Sequence, residues 1–289
     1  MKKCNEIGCY SDGTCRDGRC ADHTNGARPV RGYSAGGNTP RSDVPHLGVE
    51  IECLSNDSQV YKILRAQGSR PCRDGSLNGS FGCEFKLCKP VDKALRLVPR
   101  FVEKLRSLGA QVDTSCGMHV HLDARGVTWE RIEAFQVWLA TWQGWWFGIM
   151  PPSRRESRFV KPLIGDNRRD HYTWANYTSY GTVEIRIHGG TLNRHKVAGW
   201  LAVCADLLDL LHSDRPFPVI GTVQQQALES GEVVMVMNPI PTDEQLRGIF
   251  TRSTALEYLL ARQAAGGVLL ETTHATLQGL NRESETATA

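Results

Sequence analysis

The chain has 289 residues, 40% hydrophobic and 22% charged, with a mean hydropathy of −0.34. That balance excludes a fibrous, collagen-like or wholly disordered chain, and the length is enough to bury a sizeable core without staples. The formal net charge of +3 and the pI near 8.3 are too weak to argue for nucleic acid or an anionic membrane as partner.

In chain order, residues 1–23 form a Cys-rich segment. Cys4, Cys9, Cys15 and Cys20 stand at C-x4-C-x5-C-x4-C, with His23 just after. Four thiolates around Zn²⁺ can order a segment too small to have a core, so a structural zinc knuckle is one reading. A small disulfide cluster and a loose reduced tail are the others. Residues 24–45, rich in Gly, Pro, Ser and Arg, read as a flexible linker. The opening MKKCNEIGCYSDG lacks the apolar core of a signal peptide. Val137 to Met150, the most apolar stretch, is interrupted by Thr141, Gln143 and glycines and is too short to span a bilayer. A cytoplasmic protein with no membrane partner is therefore expected, and the scattered Cys53, Cys72, Cys83, Cys88, Cys116 and Cys204 are expected to be reduced.

The body spans 46–213. Helical periodicity predicts helices over Asp92–Leu108, Thr128–Phe147 and Asn193–His212. Pro99 should bend the first or delay its start. Trp138, Trp142, Trp145 and Trp146 fall along one side of the second, which reads as core packing. A C-terminal extension over 214–280 holds a strand-like GEVVMVMN and a helix-like EQLRGIFTRSTALEYLLARQ, and residues 281–289 read as a disordered tail.

The chemistry lies in strands. HLGVEIEC alternates Glu50 and Glu52 against Val49, Ile51 and Cys53. CGMHVHLD places His119, His121 and Asp123 opposite Met118, Val120 and Leu122. GTVEIRIHGG places Glu184, Arg186 and His188 opposite Val183, Ile185 and Ile187. Glu84, on a short strand over Gly82–Leu87 after a turn at Arg73–Ser76, can join the same face. Like charges two residues apart on a strand face repel and need a cation or buried partner. Three such strands point to a metal-centred face, and oxygen-rich ligation with a few imidazoles suits Mg²⁺ or Mn²⁺. The basic loop PPSRRESRFVKPL brings Arg154, Arg155, Arg158 and Lys161, followed by Arg168 and Arg169. It is either a solvated surface loop or a clamp for phosphate or carboxylate.

The ordered set Gly48-Val49-Glu50-Ile51-Glu52, Asp74-Gly75-Ser76-Leu77 leading to Glu84, Cys116-Gly117-Met118-His119-Val120-His121 and Thr182-Val183-Glu184-Ile185-Arg186 resembles the amidoligase family. That family belongs to the glutamine synthetase and glutamate–cysteine ligase-like carboxylate–amine ligases, and its members are frequent in bacteria and phages. The resemblance covers 46–213. It implies an α+β fold: a curved antiparallel sheet with helices on its convex face and ATP, divalent metals and a carboxylate substrate on the concave one. It also implies that Glu50, His119 and Glu184 hold one metal, and that Glu52 and Glu84, with Asp74 as an extra ligand, hold a second. His121 would approach the ATP phosphates and Arg186 would steady the transferring phosphoryl group; on the clamp reading of the basic loop, Arg158 and Lys161 join them as nucleotide-binding residues. Tyr172 and Asn176 precede the Glu184 strand at spacings seen in the family. The reaction implied joins a carboxylate to an amine of an amino acid, peptide or protein side chain through an acyl phosphate.

Two other functions stay open on the residues alone. One is a metal-dependent amide hydrolase working from the same His/Glu face. The other is a non-catalytic, zinc-bearing binding module. No P-loop, zincin, nucleophile-elbow or dinucleotide-binding motif is present.

Overall fold

A computed structural model describes residues 44–55, 72–73, 77, 82–155, 157–164, 167–227, 233–238 and 240–265, with the backbone alone at 72–73, 222–227 and 233–238. The Cys4, Cys9, Cys15 and Cys20 segment, most of the 24–45 linker, the turn bearing Asp74 and the 281–289 tail lie outside the described residues.

The central sheet is built from β1 (His46–Leu54), β2 (Cys72–Arg73), β3 (Gly82–Pro90), β4 (Gly117–Asp123), β5 (Ala175–Tyr177) and β6 (Thr182–Gly189). They run in the order β2-β3-β1-β4-β6-β5, each antiparallel to its neighbours. A hairpin of β7 (Thr222–Ala227) and β8 (Val233–Asn238) forms a separate two-stranded sheet.

Helices α1 (Val91–Ser107) and α5 (Arg194–His212) pack against each other and against the apolar face of the sheet. Val49, Ile51, Phe85, Met118, Val120, Val183 and Ile185 bury themselves there with Val98, Val102, Trp200 and Leu207. Period-two alternation then sends the polar side chains between them, Glu50, His119 and Glu184, to the opposite face. Helix α1 begins directly after Pro90 and runs through Pro99. The proline neither delays the start nor ends the helix, because it is buried among the residues that pack α1 down. Asn193 caps α5 by accepting from the backbone N–H groups of His195 and Lys196.

Two predicted helices are each broken into two. The first divides at Trp142 (φ −128°, ψ 23°) into α2 (Trp129–Thr141) and α3 (Gln143–Ile149). The turn lets the indoles of Trp138, Trp145 and Trp146 converge on Trp142 at centroid distances of 4.8–5.2 Å, all inside the core. A short α4 (Pro152–Arg155) follows. The second breaks after α6 (Asp243–Ile249), where buried Asp206 of α5 accepts from Thr251 Oγ1 and from the backbone and guanidinium of Arg252. Residues 253–265 then form α7. Gly199 makes this docking possible, since a Cβ there would lie 2.6 Å from the Tyr258 ring. Cys53, Cys83, Cys88, Cys116 and Cys204 are free thiols, as expected. No helix among the described residues is long and apolar enough to cross a membrane.

Candidate active site

Four adjacent strands line up the ionisable side chains. Across β1 and β3, Glu50 stands opposite Lys86 and Glu52 opposite Glu84. Across β1 and β4, Glu50 stands opposite His119, and across β4 and β6, His121 stands opposite Glu184. Glu50, Glu52, Lys86, His119, His121, Glu184 and Arg186 are all buried.

Two groups of donor atoms lie within 4.8 Å of one another: Glu50, Glu84 and His119, and Glu50, His121 and Glu184. Carboxylate oxygens with one imidazole are a suitable donor set for Mg²⁺ or Mn²⁺. His121 Nε2 sits 3.4 Å from Glu50 Oε1 and 3.9 Å from Glu184 Oε1, while its Nδ1 is fixed at 2.9 Å from Thr182 Oγ1. An imidazole held by one nitrogen with the other aimed at carboxylates has the form of a metal ligand. His119 Nδ1 is 3.4 Å from Glu50 Oε2 and 3.5 Å from Glu184 Oε1, so both histidines serve the carboxylate row.

Charge balance explains why these groups can share a buried face. Burial pushes the Glu50 carboxyl up, but Lys86, His119 and His121 outweigh it and hold it well below the ordinary carboxylate range. The same contest leaves Glu184 lowered, through Arg186, His121 and His119. Glu84 goes the other way: burial and then the nearby Glu50 charge raise it well above its ordinary value. Arg186 Nη1 donates to Glu184 Oε1 at 2.7 Å, and Asn176 Nδ2 to Glu184 Oε2 at 3.0 Å, so both carboxylate oxygens are oriented.

Two clefts open onto this row. One, of about 800 Å³, is lined by Glu52, Glu84, Lys86, His119, Arg154 and Arg186, among others. The second, of about 880 Å³, is lined by His121, Arg169, Asn176, Tyr177, Tyr180 and Glu184, among others. Glu50 and His171 border both. Each donor group thus faces its own cleft, with Glu50 common to the two.

The basic loop is divided by burial. Arg154 is 3% exposed; its Nη2 donates to the Arg186 carbonyl, and its Nε has no hydrogen-bond partner among the described residues. Burial pushes this guanidinium down to about 10, against the pull of Glu52. Arg155 instead caps the end of α3, donating to the carbonyls of Phe147, Gly148 and Met150. Arg158 lies over the Phe159 ring, and Lys161 pairs with Asp170 at 3.0 Å. Neither Arg158 nor Lys161 is among the residues lining these two clefts.

Two face assignments change. A β-bulge between β4 and β6 sets Arg186 and Ile187 against the single residue His119, so His188 pairs with Met118 and turns to the helix side. There His188 Nδ1–H donates to the Gly189 carbonyl, and Nε2 accepts from Tyr258. Asp123, at the end of β4, binds Arg125 and the His46 backbone N–H instead of the carboxylate row. Lys86 is the site residue that motif reading overlooked. Its signal was its place two residues after Glu84 on one strand face.

Three solved structures are similar to the chain. "GmaS/ADP complex-Conformation 1" aligns at TM-score 0.40 and 13% identity, covering 82% of this chain and 70% of that one. "Apo GmaS without ligand" aligns at 0.38 and 13%, covering 83% and 72%. The complex of "Prokaryotic Ubiquitin-like Protein Pup and its Ligase PafA" aligns at 0.34 and 11%, covering 81% and 65%. No curated protein matches the chain. Residues 87–170, which include His119, His121 and Arg154, match the model of a family described as "Putative amidoligase enzyme". The strand of His119 and His121 thus lies within the stretch that is similar to the amidoligase family.

Proposed function

We propose that the chain is an ATP- and Mg²⁺-dependent carboxylate–amine ligase with a glutamine synthetase-like core, forming an amide bond through an acyl phosphate. The observation that carries this reading is the meeting of two clefts over one buried carboxylate, Glu50, with a cluster of carboxylates and imidazole facing each. A ligase of this type must bring a nucleotide and a carboxylate to opposite sides of one phosphoryl group. A hydrolase that only activates water needs no second cleft.

In this reading Glu50, His121 and Glu184 hold a divalent ion, oriented by Thr182 and Asn176. The ion supplies charge neutralisation for the transferring phosphoryl group, which needs positioning and positive charge more than covalent help. Arg186, tied to Glu184, contributes a second fixed positive charge at the same point. The nucleotide takes the cleft of Tyr177, Tyr180 and Arg169. The carboxylate substrate takes the cleft of Arg154, whose buried guanidinium has an Nε with no hydrogen-bond partner among the described residues and is costly to leave uncompensated. Glu52 lines that cleft and takes the proton of the attacking amine.

The test is calorimetric titration of a non-hydrolysable ATP analogue, with and without Mg²⁺, into wild type and Glu184→Gln. Mg²⁺-dependent binding that weakens at least about tenfold in the variant is expected, because one carboxylate of a three-ligand set is lost. Absence of nucleotide binding under every metal condition, with amide turnover that needs no nucleotide, would refute the ligase in favour of the hydrolase.

A further inference from the structure

Resting on the ligase reading of the same site, we infer that Lys86 is a resident cation. Its ammonium holds the Glu50–Glu84 pair in the place a second divalent ion would take, leaving one exchangeable ion position, at Glu50, His121 and Glu184.

The β1–β3 register puts Lys86 directly across from Glu50, and period-two alternation puts Glu84 beside it on the same face. Lys86 Nζ lies 3.0 Å from Glu50 Oε1 and 2.9 Å from Glu84 Oε2, with its side chain 4% exposed. An ammonium has three donors on a point-like charge, so it can serve two carboxylates at once as an ion does. The donor atoms of Glu50, Glu84 and His119 are close enough to hold a metal, but the two carboxylates are already joined by this ammonium. A divalent ion binding them would stand at about 2 Å from the same oxygens, pressed against a buried positive charge. At the other donor group the fixed positive charge is the guanidinium of Arg186, whose Nη1 lies 2.7 Å from Glu184 Oε1.

Functionally, Lys86 gives the Arg154 cleft a positive charge that cannot dissociate, so the site saturates with a single metal.

The experiment counts Mn²⁺ bound per 289-residue chain by electron paramagnetic resonance of the free ion, without nucleotide. Wild type is expected to bind one, Glu84→Gln still one, and Glu184→Gln none. Lys86→Met should bind two, and the Lys86→Met/Glu84→Gln double variant should return to one. Two Mn²⁺ in wild type with one lost in Glu84→Gln overturns the role of Lys86 and leaves the ligase reading standing. An unchanged count in folded Lys86→Met overturns it as well. No Mn²⁺ in wild type overturns the ion site of the ligase reading, and this inference falls with it. Should Lys86→Met fail to fold, Glu84→Gln decides alone, because it keeps the native lysine.

Discussion

Gly117→Ala tests whether the spacing of the carboxylate row, as distinct from its composition, makes the site. Gly117 opens β4, and its N–H donates to Glu52 Oε2 at 2.5 Å. A Cβ at this position would meet His119 Nε2 at 2.6 Å, Arg154 Nη2 at 2.7 Å and Glu52 Oε2 at 3.2 Å, where ordinary contact begins at 3.4 Å. His119 and Arg154 must therefore each retreat by roughly 0.7–0.8 Å, while the N–H to Glu52 survives in alanine. Gly117 is not among the glycines at positive φ, so its backbone accepts a side chain. The entropic gain of alanine over glycine, about 0.4–1 kcal/mol, offsets part of the clash and keeps the fold close to wild-type stability. Displacing catalytic groups by about 1 Å costs about a hundredfold in rate, or about 2.7 kcal/mol of transition-state stabilisation. Two measurements are paired: thermal melting, and amide formation driven by Mg²⁺ and ATP with a panel of carboxylates and amines. We expect a melting temperature within about 5 °C of wild type and activity lowered by about two orders of magnitude. A variant with wild-type activity would show that neither His119 nor Arg154 needs its present position, and the site described here would be wrong.

Arg154→Met should melt at or above the wild-type temperature, because it removes a buried charge whose Nε has no hydrogen-bond partner among the described residues, and low-millimolar phosphate should raise the melting temperature of wild type but not of the variant. A lower melting temperature with the phosphate response intact would assign Arg154 a structural role. Burial holds His188 down to about 3, so the native state keeps it neutral while the unfolded chain protonates it near 6.5. Its contribution is complete above pH 6.5 and is lost as pH falls from there toward 3, at up to about 1.4 kcal/mol per pH unit. Urea unfolding of wild type and His188→Gln between pH 7.5 and 5 should show a gap in pH slope of that size, and parallel slopes would contradict it.

What could be read without coordinates followed from periodicity. Alternation in three strands was enough to put Glu50, Glu52, His119, His121, Glu184 and Arg186 on one face, because a strand buried on its other side has no freedom to turn one residue over. That logic fails where the backbone departs from regularity. His188 obeys the alternation in sequence and breaks it in space, since one extra residue in β6 at the bulge reverses the facing of everything beyond. The helix breaks at Trp142 and near Arg252 have a similar origin: tertiary partners, an indole cluster in one case and Asp206 in the other, override local helical preference.

Charge raises a different difficulty, because a residue's sign is legible in sequence and its burial is not. Arg154, Arg155, Arg158 and Lys161 are alike as letters, yet of the four Arg154 lines one of the two clefts while Arg155 closes a helix end. Lys86 sharpens the point. A lysine on a strand reads as solvated surface, and only the cross-strand register shows it wedged between two carboxylates. Counting acidic residues therefore overstates how many metals such a face can hold. Each buried ammonium within reach of two carboxylates must be subtracted first, and here that subtraction removes one ion from the expected pair.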